Sequence, residues 1–570
     1  MNANIHEHRG DETPTSTSTG TSDPITTQIV RNALTSAARQ MVKTTIRTAF
    51  SPVIYESLDF AVVLYDAHFR LLGQGPTLPA FMGTMSFCIQ GAVEAVGGSH
   101  MLQAGDVLLY NEPYGTGSHA QDCAIIMPVY DRDRVLIGYA ANKAHQADIG
   151  ALAPYCTDTT DVFQEGTVFP GVKLYEAGVL NDTVRRIMLA NSRYPTLVDG
   201  DVRAQIASCH VGASELVRVV ERFGRELFAA SVERMFDHGE SVVRAYLANI
   251  PDGTYRADCF MDDNGVDDKP IKFEVAVRID GSDVVVDYTE APDAQVGPVN
   301  CPLPSTVSLS RITIAMIAGN QESPNEGHFR PLRVLTRPGS MFHPLKPSPC
   351  YLYGWSMMSA MEGLTQALAG AVEDLPSGTA GDISSIIIYG ENAAGEAFNS
   401  GGAVQCGNGA SCDHDGAILF VPSLAHSRSQ SPEIIEAKAP VRVELYELVA
   451  DTAGAGRHRG GSGWRRDLRL LVDSRVISTL ERTRDPSWAQ HGGESGAPNR
   501  GEIQYPDGRI ASLAKVTSLA VPAQSVIRVV SGGGGGFGAP GERAVAAVKQ
   551  DLKDGIITSE FAATHYPQAL

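Results

Sequence analysis

The chain has 570 residues, 43% of them hydrophobic and 19% charged, with a formal net charge of -19. That composition is globular and leaves room for one large or several smaller domains. The acidic balance argues against nucleic acid or an anionic membrane as partner, since their phosphates would be repelled. No apolar run of membrane-spanning length and no signal-type segment occurs, so the protein is expected to be cytoplasmic. Nine Cys without any CxxC spacing read as reduced, buried thiols.

Residues 1–24 are Ser/Thr-rich and polar and predict a disordered tail. Apolar residues at helical intervals then predict a helix from Pro24 to about Phe50, capped by Asp23 or Ser22. Phe60-Ala-Val-Val-Leu-Tyr reads as a buried strand and Phe69–Leu72 as a second. A helix is expected over Phe87–Val96. Val107–Tyr110, Ala124–Tyr130 and Val135–Ala141 read as further strands. Residues 200–248 predict helix, and a shift at Pro251-Asp-Gly-Thr marks a domain boundary near 250. Strands follow over Thr254–Met261, Ile271–Ile279 and Asp283–Thr289. Helices are expected around Leu309–Gly319 and Trp355–Asp374. Strands follow again over Val441–Val449, Arg466–Val472 and Ser525–Val530. The fold class is α+β, with large mixed sheets, helices and two main lobes. A metal-site domain is assigned to residues 25–250, a β-rich domain to 251–540 and a helical segment to 541–570.

Two segments carry the chemistry: Asn111-Glu-Pro-Tyr-Gly-Thr-Gly-Ser-His119-Ala-Gln-Asp122 and Ala144-His145-Gln-Ala-Asp148. Each places an Asp three residues after a His, at a strand end beside small residues. Imidazole nitrogen with carboxylate oxygen suits a divalent metal such as Zn or Mn. His119, Asp122 and His145 are the core candidates. Asp148 is a fourth, as ligand or as the carboxylate that orients an imidazole. Asp59, at the start of an apolar strand, is a fifth. Two imidazoles and a carboxylate leave room for water, whose pKa a metal lowers toward neutrality. Taken singly, each His reads as an ordinary buried or exposed side chain rather than a ligand; it is the pair of segments together that carries the metal reading. The segment Cys412-Asp-His-Asp415-Gly reads as a turn.

The glycine run Ser531-Gly-Gly-Gly-Gly-Gly-Phe537-Gly538 lacks the Gly-Lys-Ser/Thr ending of a phosphate loop and the context of a dinucleotide fold. It reads as a close-packed turn near the active site or a subunit interface. The Arg residues of Gly454-Ala-Gly-Arg-His-Arg459-Gly-Gly-Ser-Gly-Trp464-Arg-Arg466 suit an acidic surface of a partner subunit. No Gly-x-Ser-x-Gly elbow occurs.

With Glu56-Ser-Leu-Asp59-Phe60, Gln164-Glu165-Gly, Asn191-Ser-Arg193, Gly200-Asp201…Ala204-Gln205, Pro324-Asn325-Glu-Gly327-His-Phe-Arg330-Pro and the two glycine segments, these motifs resemble the hydantoinase B/oxoprolinase family over residues 25–566. The resemblance implies a hetero-oligomer with a hydantoinase A-type ATPase subunit. ATP would bind on that partner, which activates a small-molecule substrate. This chain would then complete hydrolysis of a cyclic amide of hydantoin, oxoproline or lactam type. The metal positions implied are His119, Asp122, His145, Asp148 and Asp59, and Glu165 or Asp148 would shuttle the proton. The alternative is a subunit of an ATP-dependent ketone carboxylase of acetone or acetophenone type. A third reading is a scaffold subunit that binds no metal. Three departures bear on this, one of them Gln146, which follows His145 where the family often has a second His. Glu112 stands where the family often has Asp. Phe81, in Pro79-Ala-Phe-Met-Gly83, stands where it often has His, and its apolar ring counts against the cyclic amide and for a hydrophobic or aromatic substrate, as in the carboxylase branch.

Overall fold

The structure, a computed structural model, describes residues 7–8, 21–318, 323–381, 384–418 and 430–569. Most of the expected tail lies outside the described residues. Within it, Glu7–His8 pairs with Leu335 and Val334, and Asp23 accepts from Ile25 and Thr26 N–H at the start of helix Pro24–Thr48. Among the described residues, no helix is long and apolar enough to cross a membrane.

The first part of the chain builds a seven-stranded antiparallel sheet. Its order is Leu71–Gln74, Phe60–Asp66, Leu136–His145, Asp122–Tyr130, Val107–Tyr110, Pro170–Glu176 and Val179–Leu180. The run Phe60–Tyr65 is apolar throughout because both faces of its strand are covered. Val62 and Leu64 pack with Leu34 and Met41 of the first helix. Val63 and Tyr65 pack with Met85, Cys88 and Ile89 of helix Met85–Ala95. The second strand begins at Leu71 rather than Phe69. Asp66 holds the intervening turn by accepting from His68 and Arg70 N–H, and Phe69 sits at φ 60. The helical stretch expected over 200–248 is two helices, Pro195–Phe223 and Arg225–Leu247, broken at Gly224 with φ 76.

A second sheet comprises Gly253–Met261, Ile271–Asp280, Asp283–Asp287 and Leu332–Leu335, with Glu7–His8 at its edge. Helices Leu303–Ile317 and Tyr353–Ala369 share its core. Residue 250 separates elements but not cores: Ala61, Phe81 and Cys156 belong to the same apolar cluster as Val275, Tyr351 and Met358. The remaining two sheets form a sandwich. Ile386, Phe398 and Val476 on one meet Leu468, Ile527 and Val529 on the other. Helices Val545–Lys553 and Ser559–His565 follow the sandwich.

The glycine run Gly532–Gly536 is buried and carries neither a turn nor a regular element. Gly533 N–H donates to Ala497 O, Gly534 to Gly461 O, Gly535 to Gly378 O and Gly536 to Glu494 O. Successive residues thus bond to different neighbouring segments. A Cβ on Gly533, Gly534, Gly535 or Gly536 would run into a backbone carbonyl of a neighbour. Close approach, not positive φ, requires glycine here. The arginines beside it are engaged within the chain: Arg459 with Asp551, Arg465 with Asp467, and buried Arg466 over the Trp464 ring. Arg457 too is engaged within the chain, donating to Cys412 O at 3.1 Å and lying 4.0 Å from a Glu542 carboxylate oxygen.

Candidate metal centre

The middle strands of the seven-stranded sheet set two candidate ligands side by side. Asp122 opens one strand, His145 ends its neighbour, and the register pairs them directly. Directly opposed residues share a face. His119 joins them through a tight turn closed by Asp122 N–H to His119 O at 3.1 Å. His119 Nε2, Asp122 Oδ1 and His145 Nδ1 form a triangle with every side 3.0 Å. Among the described residues these three make the group able to hold a metal ion.

The tautomer follows from the surroundings. His119 Nδ1 lies 2.8 Å from the Tyr351 carbonyl. A carbonyl only accepts, so Nδ1 carries the proton and Nε2 turns its lone pair into the triangle. All three residues are buried. Burial opposes the charged form of both His119 and Asp122. Their mutual attraction outweighs it, raising the His119 pKa and holding the Asp122 carboxyl below the usual carboxylate range. Three electron-pair donors meet at one point, and a single proton bridges one pair at a time. The donor set fits a divalent cation. Three bonds of about 2.1 Å at right angles separate ligand atoms by about 3.0 Å, against about 3.4 Å for tetrahedral angles.

The other expected residues lie at different places. Asp59 precedes strand Phe60–Asp66, and its carbonyl accepts from His145 N–H at 3.1 Å. Its side chain lines the cavity beside His119 and His145. Burial pushes its pKa up to about 6, with His145 opposing. Asp148 is not with the trio. Its carboxylate accepts from Gly150 N–H at 3.1 Å and pairs with Arg193 Nη1 at 2.6 Å, fixing the loop after His145. Glu165 is also apart. Its Oε1 accepts from Thr159 Oγ1 at 2.8 Å, Cys350 N–H at 2.8 Å and Tyr351 N–H at 2.9 Å. The spacing that places Asp122 on a ligand triangle places Asp148 on an arginine. Both Asp148 and Glu165 hold loops, and neither lines the cavity.

Three residues that the sequence did not single out complete the setting. Tyr351 contributes the carbonyl that orients His119. Tyr353 Oη donates to Asp122 Oδ2 at 3.3 Å, and its ring meets His119 edge-on. Lys143, fully buried, donates to Thr116 O at 2.8 Å and sits 4.5 Å above the Phe81 ring. Only Lys143 left a local signal, a charged residue within an otherwise buried strand. Behind the trio, Gln205 Nε2 donates to Cys123 O and Asn142 O, both at 2.9 Å, tying helix Pro195–Phe223 to the two ligand strands. Glu112 caps its turn by accepting from Tyr114 and Gly115 N–H, so the departure at that position keeps its structural role.

The hydantoinase B/oxoprolinase profile matches residues 23–540. The chain belongs to the hydantoinase B/oxoprolinase family. The B component of a proposed D-/L-hydantoinase of Pseudomonas sp. is 31% identical over 95% of both chains. The beta chain of caprolactamase of Pseudomonas jessenii is 28% identical over 96% of both. The crystal structure of ATP-dependent caprolactamase from that organism superposes with a TM-score of 0.89 at 26% identity, covering 97% of each chain. Acetone carboxylase, at 19% identity and a TM-score of 0.85, covers 95% of this chain and 79% of its own. At that identity the likeness carries the fold alone.

If the trio holds a metal, a Tyr353→Phe chain is expected to fold normally and to bind it about tenfold more weakly, the cost of removing a hydrogen bond to the candidate ligand carboxylate. Isothermal titration with Mn²⁺ and Zn²⁺ measures it, and an unchanged affinity would remove Tyr353 from the site.

Proposed function

We propose that this chain is the metal-dependent subunit of an ATP-dependent amidohydrolase. It opens a cyclic amide of hydantoin, oxoproline or lactam type after a partner ATPase subunit has activated it. The observation that carries the reading is the 3.0 Å donor triangle of His119, Asp122 and His145, two of which line a cavity. Its relatives include proteins named for hydantoin and caprolactam hydrolysis, each named as one subunit of an assembly.

His119, Asp122 and His145 would hold the metal. When bound, it supplies a Lewis acid for a carbonyl or phosphoryl oxygen and lowers the pKa of water. The chain's own residues do the rest. The Tyr351 carbonyl keeps the His119 proton on Nδ1, so Nε2 stays a donor of electrons. Tyr353 fixes the second oxygen of Asp122. Asp59, on the cavity side, is the carboxylate placed to take up or return a proton beside the reacting end. Asp148 and Glu165 position loops instead of moving that proton.

The test is co-expression with a hydantoinase A-type ATPase subunit. ATP-dependent opening of hydantoin, 5-oxoproline or caprolactam is then followed, with bicarbonate-dependent consumption of acetone or acetophenone as the opposing assay. Ring opening that needs both subunits and ATP is the expected result. Ketone carboxylation without ring opening would replace this reading with the carboxylase one. A purified active complex without stoichiometric metal on this chain would leave it a scaffold.

A further inference from the structure

Arg466 stands on strand Trp464–Leu470 of the sandwich and is only 6% exposed. The other arginines buried to this degree among the described residues are answered: Arg543 by the carboxylates of Asp415 and Asp551, and Arg482 by Thr379 O at 2.7 Å. Arg466 is not. Its Nε–H is buried without an acceptor. Burial opposes its charge, no carboxylate offsets that, and only the Tyr446 hydroxyl acts in its favour. Segment 419–429, outside the described residues, contains no Asp or Glu.

The Trp464 ring centre lies 5.2 Å from the guanidinium carbon. A ring face attracts a cation but brings no counter-charge. The ring's own Nε1–H is a second buried donor without an acceptor. Arginine cannot discharge by losing its proton, and a buried charge left unpaired is strongly disfavoured.

Arg466 lines a cavity of about 20 Å³, room for one small group by the roughly 10–15 Å³ that a water needs. Ile386, Ile388 and Leu468 give it apolar walls. Beside Arg466 its polar walls are Ser400 and Gln430, and Gln430 Nε2 donates to Glu56. This cavity is distinct from the one beside the trio. Ile386 and Ile388 face it, while Ile387, between them on strand Ser385–Glu391, faces the larger one, as side chains alternating along a strand do.

We propose that Arg466 binds a small monovalent anion of the halide class, chloride in ordinary solution, inside the sandwich. The anion supplies the missing counter-charge and accepts from the guanidinium N–H groups. The space excludes phosphate and molecules that carry a carboxylate. The inference stands independently of the ring-opening reading.

The test is thermal unfolding of the full-length chain in chelator, with sodium chloride replacing sodium gluconate at constant ionic strength. The parent's midpoint is expected to rise by about 2 °C by about 100 mM chloride and then level off, as binding at one site requires. Sodium acetate should give no such rise, and an equal one overturns the halide assignment. Arg466→Met, an apolar chain of similar reach, should lose the response to chloride. A parent whose midpoint does not rise and saturate overturns the proposal, and so does an Arg466→Met chain that keeps the rise. A bromide-soaked crystal of the parent reads the site without any substitution. An anomalous peak at the guanidinium is expected, and its absence overturns the proposal.

Discussion

An Asp122→Asn chain is expected to fold, to retain no more than about a tenth of the bound metal, and to lose ring opening by about 10³-fold. The substitution keeps the shape of the side chain and the acceptor for Tyr353, and removes the one carboxylate of the donor triangle. Asp122 has no exposed surface, so the lost charge cannot be replaced by solvent. Losing a metal that contributes several kcal/mol to a transition state corresponds to about three decades of rate at 1.4 kcal/mol per decade. Elemental analysis and turnover in the reconstituted complex read the two effects separately. Thermal unfolding is compared in chelator, because bound metal itself stabilises the folded chain. Full metal content together with full activity would remove Asp122 from the site and with it the metal-centred reading.

His145→Ala should behave alike in metal content, since its Nδ1 is another corner of the same triangle. Asp148→Asn should not. Asp148 faces Arg193 and the loop N–H groups, so its loss disturbs the loop and leaves all three corners in place. The contrast between two aspartates of equal spacing separates ligands from loop anchors in a single set of elemental analyses.

Why the sequence distinguished so much of the site, and not these two, is a matter of where each segment meets its strand. His119 precedes the strand that Asp122 begins, and a tight turn folds it back over that first residue. His145 is the last residue of its strand, so Asp148 lies beyond the sheet, where the chain has already turned away. Identical spacing on opposite sides of a strand end gives opposite outcomes. Continuous apolar runs such as Phe60–Tyr65 were legible because coverage of both sheet faces leaves that imprint. Tyr351 and Tyr353 left none. They reach the trio from a helix start more than two hundred positions along the chain, through the Tyr351 carbonyl and the Tyr353 hydroxyl. The glycine run was legible as close packing but not as a line of contacts to several separate segments. Its bonding partners come from segments that only the fold brings together.

Glu165 gives the second large effect, in which two substitutions at one position are expected to part company. Its carboxylate gathers the Thr159 hydroxyl and the N–H groups of Cys350 and Tyr351. It thereby holds the segment whose Tyr351 carbonyl fixes the His119 tautomer. Glu165→Ala strands three buried donors at about 1–3 kcal/mol each, so a loss of about 4 kcal/mol or more in stability is expected, with metal binding impaired through His119. Glu165→Gln keeps an acceptor oxygen in place and should retain ring opening within about threefold, because the group holds a loop and transfers no proton. The pH dependence carries the sign. Burial pushes the Glu165 pKa up to about 8 from an ordinary 4.5, so the folded state prefers the protonated form. That contribution is fully present below the ordinary pKa and is lost as pH rises through about 8. Glu165→Gln cannot ionise, so its stability relative to the parent should improve from pH 5 to pH 9, read by thermal unfolding in chelator. A Glu165→Gln chain that folds, binds metal and yet fails to turn over would return Glu165 to the proton-shuttling role that the family resemblance implied.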